Sequence, residues 1–124
     1  MTQEDKNTLL KDLCARLPYG VKVCARFNTG SRYTANVTAI CADRDYIQIR
    51  QNDLHPYRGS SVEDIRPYLR PMSSMTEKEN EEYINTFTVI WDAVDWLNAH
   101  HFDYRGLIEK GLALEAPEDM YKTE

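Results

Sequence analysis

From Gly20 to Gln51, apolar and polar residues alternate in three runs joined by two short polar turns. A period of two is what a half-buried strand requires, because successive side chains point to opposite faces. In the first run Val21, Val23, Ala25 and Phe27 share one face, and Lys22, Cys24, Arg26 and Asn28 share the other. Asn28-Thr29-Gly30-Ser31 then supplies a glycine for positive φ and side chains that bond their own backbone, which predicts a hairpin. The alternation of the second run places Tyr33, Ala35, Val37, Ala39 and Cys41 inward, and Thr34, Asn36, Thr38 and Ile40 outward. After a turn at Asp43-Arg44-Asp45, the third run sends Ile47 and Ile49 inward and Tyr46, Gln48 and Arg50 outward. An antiparallel meander follows, with Val21, Val23, Phe27, Val37, Ile47 and Ile49 in one core.

Helical patterns flank this meander. Thr2 to Arg16 predicts an amphipathic helix capped by Thr2, with Glu4 and Asp5 in the first turn, Leu9, Leu10, Leu13 and Leu17 on one side, and Pro18 as its stop. Asn52 to Ser61 is rich in turn formers and reads as a loop. Val62 to Arg70 reads as an edge strand, because Pro67 cannot donate to a ladder. Four or five short strands that curl together predict a small SH3-like barrel. Pro71 to Met75 marks a boundary, and Thr76 with Glu79 forms a capping box that opens a helix. Tyr83, Phe87, Ile90, Val94 and Leu97 then recur at helical spacing, broadened by Ile84 and Trp91, as a seam against a core. Thr86 to Trp91 also fits a strand. The periodicity favours a helix, kinked or broken near Trp91-Asp92 and continuing to His101. Asp103 is placed to cap a short helix from Tyr104 to Lys110 ended by Gly111, a helix-turn-helix shape, and Pro117 to Glu124 reads as a fraying tail. The predicted class is α+β, with segments 1–71 and 72–124 forming one compact unit: an N-terminal helix, a small curled antiparallel sheet and a helical C-terminal half.

Composition adds bounds. With 124 residues and 42% hydrophobic content, the chain has enough apolar surface for a packed globule. No run approaches the roughly 20 apolar residues of a membrane span. The N-terminal residues lack the pattern of a signal peptide, which predicts a cytoplasmic protein. Cys14, Cys24 and Cys41 are odd in number and widely spaced, which predicts reduced thiols and small core residues rather than a disulfide framework or a zinc site.

The net charge of −5 is unevenly placed. Residues 1–71 carry 11 Lys and Arg against 8 Asp and Glu, and residues 72–124 carry 4 against 12, so the halves stand at +3 and −8. Arg26, Arg32, Arg44 and Arg50, interleaved with Tyr33, Tyr46 and Tyr68, form the candidate binding face. Arginines between tyrosines suit an acidic peptide or single-stranded nucleic acid. The bland alternative is that the acidic half packs on this face. A protein partner ranks ahead of nucleic acid, because the whole chain is acidic.

The remaining constellations stay bland. His100, His101 and Asp103 lack the further ligands and spacing of a metal site, and imidazoles at a helix C-terminus favour the dipole instead. Ser60, Ser61, Ser73 and Ser74 have no nucleophile-elbow context, and the glycines make no phosphate-binding loop. Aromatics at helical spacing, Trp91 included, are expected in the core. No catalytic residue, metal ligand or cofactor is predicted, and the pattern is silent on oligomeric state.

Three blocks carry a resemblance: Leu17-Pro18-Tyr19-Gly20, then Pro67 to Thr76, then Asp95 to Leu112. They resemble a family of small uncharacterised proteins of gut anaerobic bacteria and their mobile elements. The resemblance implies no activity, cofactor or catalytic residue, and suggests an accessory protein rather than a metabolic enzyme. The functional expectation is a non-enzymatic protein-interaction module, the alternative being nucleic-acid binding through the Arg/Tyr-rich face. For the cysteines, thiol titration of the denatured, non-reduced protein is expected to count three. A count of one would reveal a disulfide.

Overall fold

A computed structural model describes residues 1–27, 29–88 and 90–121. Asn28 of the expected hairpin turn, Val89 of the ambiguous run, the side chain of Ile90 in the expected seam and the end of the tail lie outside the described residues. The chain divides into two compact units, Met1–Tyr68 and Leu69–Glu124.

The first unit opens with helix α1 (Gln3–Arg16), where Thr2 and Asp5 make a reciprocal capping box. Leu9 and Leu13 are fully buried, and Pro18 starts a 3-10 turn, Leu17–Tyr19, that Gly20 closes at φ 75°. The same side of α1 buries a pair that hydrophobic patterning passes over. Arg16 Nε and Nη2 donate to the two Asp12 carboxylate oxygens at 2.9 and 3.2 Å, and neither side chain is exposed. Burying one of these charges without the other would be costly, so the pair goes in as a unit.

Strands β1 (Lys22–Arg26), β2 (Arg32–Cys41) and β3 (Tyr46–Arg50) form the expected antiparallel meander. The hairpin closes through Phe27 N–H to the Ser31 carbonyl and Gly30 N–H to the Phe27 carbonyl. Val23, Ala25, Ala35, Val37, Ile47 and Ile49 are buried, with Val21, Val62 and Ile65. Phe27 is only half-buried, at the end of the sheet, where its ring stacks on Tyr33 at 4.1 Å.

The alternation in β2 does not run through. Val37 pairs with Ile49 but Ala39 pairs with Gln48, so Thr38 is an extra residue in a β-bulge. Its hydroxyl bonds back to the Gln48 carbonyl and to Gln48 Oε1. One inserted residue inverts the pleat. Beyond the bulge Ile40 lies opposite buried Ile47 on the core face, whereas Ala39 is exposed, the reverse of the inward Ala39 and Cys41 and outward Ile40 that strict alternation predicts.

Part of the expected loop is a strand. β4 (Arg58–Ser60) pairs with β3, and Gly59 is where the Tyr46 ring lies, so that a Cβ at position 59 would collide with Tyr46 Cε2. Val62–Asp64 is a 3-10 turn capped by the Ser61 hydroxyl, and β5 (Arg66–Leu69) follows. β5 is not an edge: the strand order is β4-β3-β2-β1-β5-β6, with β6 being Leu114–Glu115. Pro67 is tolerated because β5 pairs with β1 over two residue pairs only, and the bond beside β6 runs from Ala116 N–H to the Leu69 carbonyl. This linear order leaves the sheet open, where a closed barrel was expected.

The second unit is less helical than the sequence pattern predicts. α2 (Glu77–Asn85) starts at the Thr76–Glu79 capping box, as expected, and α3 (Ile90–Ala99) follows. The break falls earlier than Trp91-Asp92. Thr86 donates its hydroxyl and its N–H to the Tyr83 carbonyl, and Phe87 N–H bonds to Ile84, so the helix tightens and stops there. A hydroxyl bonded back to its own helix offers the backbone an alternative to continuing it. The break resets the helical phase, and α3 buries Ala93 and Leu97 while Trp91 is exposed.

After α3, His101 sits at φ 61° and Phe102 makes a parallel bridge to Arg70. Asp103 does not cap a helix as expected: it accepts from Leu107 and Ile108 N–H at 2.9 and 3.0 Å, and residues 104–111 form turns and bends rather than a second helix. The helix-turn-helix shape is therefore absent. Gly106 and Gly111, both at positive φ, break the run at each end. The tail is held at least to Tyr121, whose ring stacks on His101 at 3.8 Å. Among the described residues no helix is long and apolar enough to cross a membrane.

The bulge makes a sharp prediction. Ile40→Gln is expected to cost about 1 to 2 kcal/mol on denaturant titration, and Ala39→Gln to stay within about 0.5 kcal/mol. Equal losses at the two sites would mean that the pleat is not inverted.

Candidate functional site

The sheet pairing sorts the Arg/Tyr set. Arg26, Arg32, Tyr46, Arg50 and Tyr68 share the face opposite the core. Tyr33 does not: it lies opposite buried Ala25 and stacks on Phe27 on the core side. Arg44 sits in the 3-10 turn Ala42–Arg44 that precedes β3.

The residues on the shared face differ in how far they are committed elsewhere. Arg50 donates from Nε to the His55 carbonyl and from Nη2 to the Asp53 carbonyl, both at 2.8 Å, and lies over the Tyr57 ring at 4.5 Å. It clamps the loop after β3 rather than presenting a free cation. Tyr68 is half-buried; burial raises its phenol pKa, and its hydroxyl is engaged with Thr34 and Cys24. Tyr46 is 43% exposed but leans on Gly59. What remains open is Arg26 and Arg32, exposed and directly opposite one another across β1 and β2. Like charges in that position repel.

The thiols are spread across environments. Cys24 is buried on the outward face, Cys41 is half-buried with Sγ 3.0 Å from Asp43 Oδ1, and Cys14 is exposed rather than in the core. The bond to Asp43 raises the Cys41 pKa, the opposite of what a reactive thiolate needs. His100 and His101 are also occupied. The His100 Nδ1 donates to the Trp96 carbonyl at 2.9 Å, an oxygen that also accepts the His100 N–H. Among the described residues no group of three or more side chains is arranged to hold a metal ion.

Two features of the second unit escape sequence reading. The first is at the α2–α3 corner, where Ile84, Phe87 and Trp91 are 51%, 57% and 74% exposed. Phe87 is braced edge-on by Tyr83 at 4.9 Å, and exposed Glu81, Glu82, Asp92 and Asp95 stand nearby in sequence. A periodicity reading puts these apolar residues in a core, and only the break at Thr86 takes them out of it.

The second is a cleft of about 530 Å³ whose lining includes an ion pair. Arg70 Nη1 and Nη2 each donate at 2.7 Å to a different carboxylate oxygen of Glu79, and the guanidinium lies 4.1 Å above the centre of the Phe102 ring. Glu79 also accepts from Thr76 N–H at 3.1 Å while its own N–H bonds the Thr76 hydroxyl. Arg70 is fixed from behind as well, because its N–H bonds the His101 carbonyl and its carbonyl accepts from Asp103 N–H, both at 2.8 Å. The guanidinium, with help from Thr76, holds the Glu79 carboxyl at about 2, overcoming the opposing effect of burial. The sequence signal for this pair was the capping box, which accounts for only half of what Glu79 does.

No protein-family model matches the chain, and no curated protein or solved structure matches it either.

Glu79 predicts acid sensitivity with a definite sign. Its folded pKa of about 2 lies below the ordinary 4.5, so its stabilisation is complete above pH 4.5 and is lost as the pH falls toward about 2. The shift corresponds to a contribution on the order of 3 kcal/mol. Trp91 and Trp96 both lie in the second unit, so tryptophan fluorescence during denaturation reports on it. Glu79→Gln is expected to be less stable at neutral pH and to lack the wild-type loss across that window. An unchanged acid dependence in the variant would assign the loss to another group.

Proposed function

We propose that the protein is a non-enzymatic interaction module that docks a partner protein at the α2–α3 corner. The observation that carries this reading is the exposure of Trp91, Phe87 and Ile84 together. Large aromatic residues left in water are costly, and tryptophan is the residue most enriched among those that dominate binding energies. The partner's chemistry follows from the surroundings. Residues 72–124 stand at −8, with carboxylates beside the corner, so the complementary surface is apolar with a basic rim. The cytoplasm is the proposed compartment.

The second reading is single-stranded nucleic acid on the sheet face. It is favoured by Arg26 and Arg32, since a bridging phosphate would relieve their repulsion. It ranks second because Arg50 is committed to its loop and Tyr33 lies on the other face.

Affinity capture from the native host with three baits separates the two. A partner held by the wild type and by Arg26→Ala/Arg32→Ala, but weakened roughly 30-fold or more by Trp91→Ala, supports the corner. Capture unaffected by Trp91→Ala sinks that reading. Binding of a single-stranded oligonucleotide at low salt, lost in the arginine variant, would put nucleic acid first.

A further inference from the structure

The cleft of the second unit has a volume of about 530 Å³, inside the range of small-ligand sites, and its chemistry selects for charge. Its one arginine is spent. Arg70 gives both terminal nitrogens to Glu79 and one face to Phe102, so an anion entering the cleft would have to displace a bidentate carboxylate. The other charges on the lining are the carboxylates of Glu115 and Glu118, which have no hydrogen-bond or ion-pair partner among the described residues. His100 adds an acceptor. Because its Nδ1 donates to the Trp96 carbonyl, the neutral ring carries its lone pair on Nε2. Pro71, Pro117 and Tyr121 complete the walls with apolar and aromatic surface.

We infer that this cleft binds an alkyl cation, the guanidinium or ammonium end of an arginine or lysine side chain or of a free aliphatic amine. The head group supplies the donors that Glu115, Glu118 and His100 can accept. The methylene stem lies along the proline walls, as the stems of long basic side chains do on apolar surface. The Tyr121 ring, which stacks on His101, lines the cleft beside these acceptors. This part of the lining is set before any ligand arrives, since Arg70 is held by backbone bonds on both sides. This site is separate from the Trp91 corner and stands whether or not that reading holds.

Titration of the full chain, followed by NMR, with N-acetyl-arginine methylamide, butylguanidinium and the neutral isostere N-acetyl-citrulline methylamide tests the inference. Both cations are expected to shift the resonances of Tyr121 and His100, and citrulline to leave them unmoved. Glu115→Gln with Glu118→Gln, both exposed and so unimportant to the fold, is expected to weaken binding about fivefold per carboxylate. Tighter binding of the capped arginine assigns the cation to a peptide side chain, and equal or tighter binding of butylguanidinium assigns it to a free small alkyl cation. Citrulline binding as well as arginine, no shift with either cation, or full binding by the double variant would each overturn the site.

Discussion

Arg70 is the residue on which the second unit turns. Its backbone makes both bonds of the short parallel bridge to residues 101–103, its guanidinium covers Phe102, and its charge holds the first turn of α2 through Glu79. The start of α2, nine residues on, and the much later segment 101–103 therefore meet at one side chain. The pair is about three-quarters or more shielded from water, with side-chain exposures of 24% and 18%, so its energy is not the negligible value of a surface ion pair. Removing either partner would leave the other charge in a site built for two. The buried Asp12–Arg16 pair obeys the same electrostatics but only within one helix; the Arg70–Glu79 pair joins elements.

Much of the first unit was legible because its signals are local. Thr2 with Asp5, the hairpin glycine, and the buried faces of β1 and β3 each follow from a few adjacent residues. What was lost depended on single residues that change a phase. Thr38 inserts into β2 and flips every side chain after it, and nothing in Thr34 to Ile40 marks which residue is the extra one. Thr86 stops α2 and resets the seam, although its β-branched neighbourhood did raise the alternative of a strand. β4 was hidden for a different reason: Arg58-Gly59-Ser60 has poor strand propensity and is a strand because β3 offers it an edge.

The candidate site was harder to read, because a binding surface depends on which groups are already spent. Alternation puts Arg26, Arg32 and Arg50 on one face but could not show that Arg50 donates to two loop carbonyls. Tyr33 was named with this face although strand alternation turns it inward, and inward is where it lies, opposite Ala25 and stacked on Phe27. The cleft draws on residues from Arg70 to Tyr121, a separation that no motif spans. Trp91 shows the reverse error: helical spacing makes an aromatic look buried when the helix that would bury it has ended.

The contact between Tyr46 and Gly59 bears on how this sequence can drift. Gly59 carries no left-handed φ, so its lack of a side chain is demanded by the ring lying on it and not by its backbone. The two positions are therefore coupled in one direction. A lineage that first trades Tyr46 for a small residue releases position 59 to take on an ordinary strand former, whereas one that first places a side chain at 59 must displace the ring. The order of these two changes is constrained although neither residue touches a candidate ligand. An alignment of descendants would show small residues at 46 more often where 59 is larger than glycine, a covariation produced by packing alone.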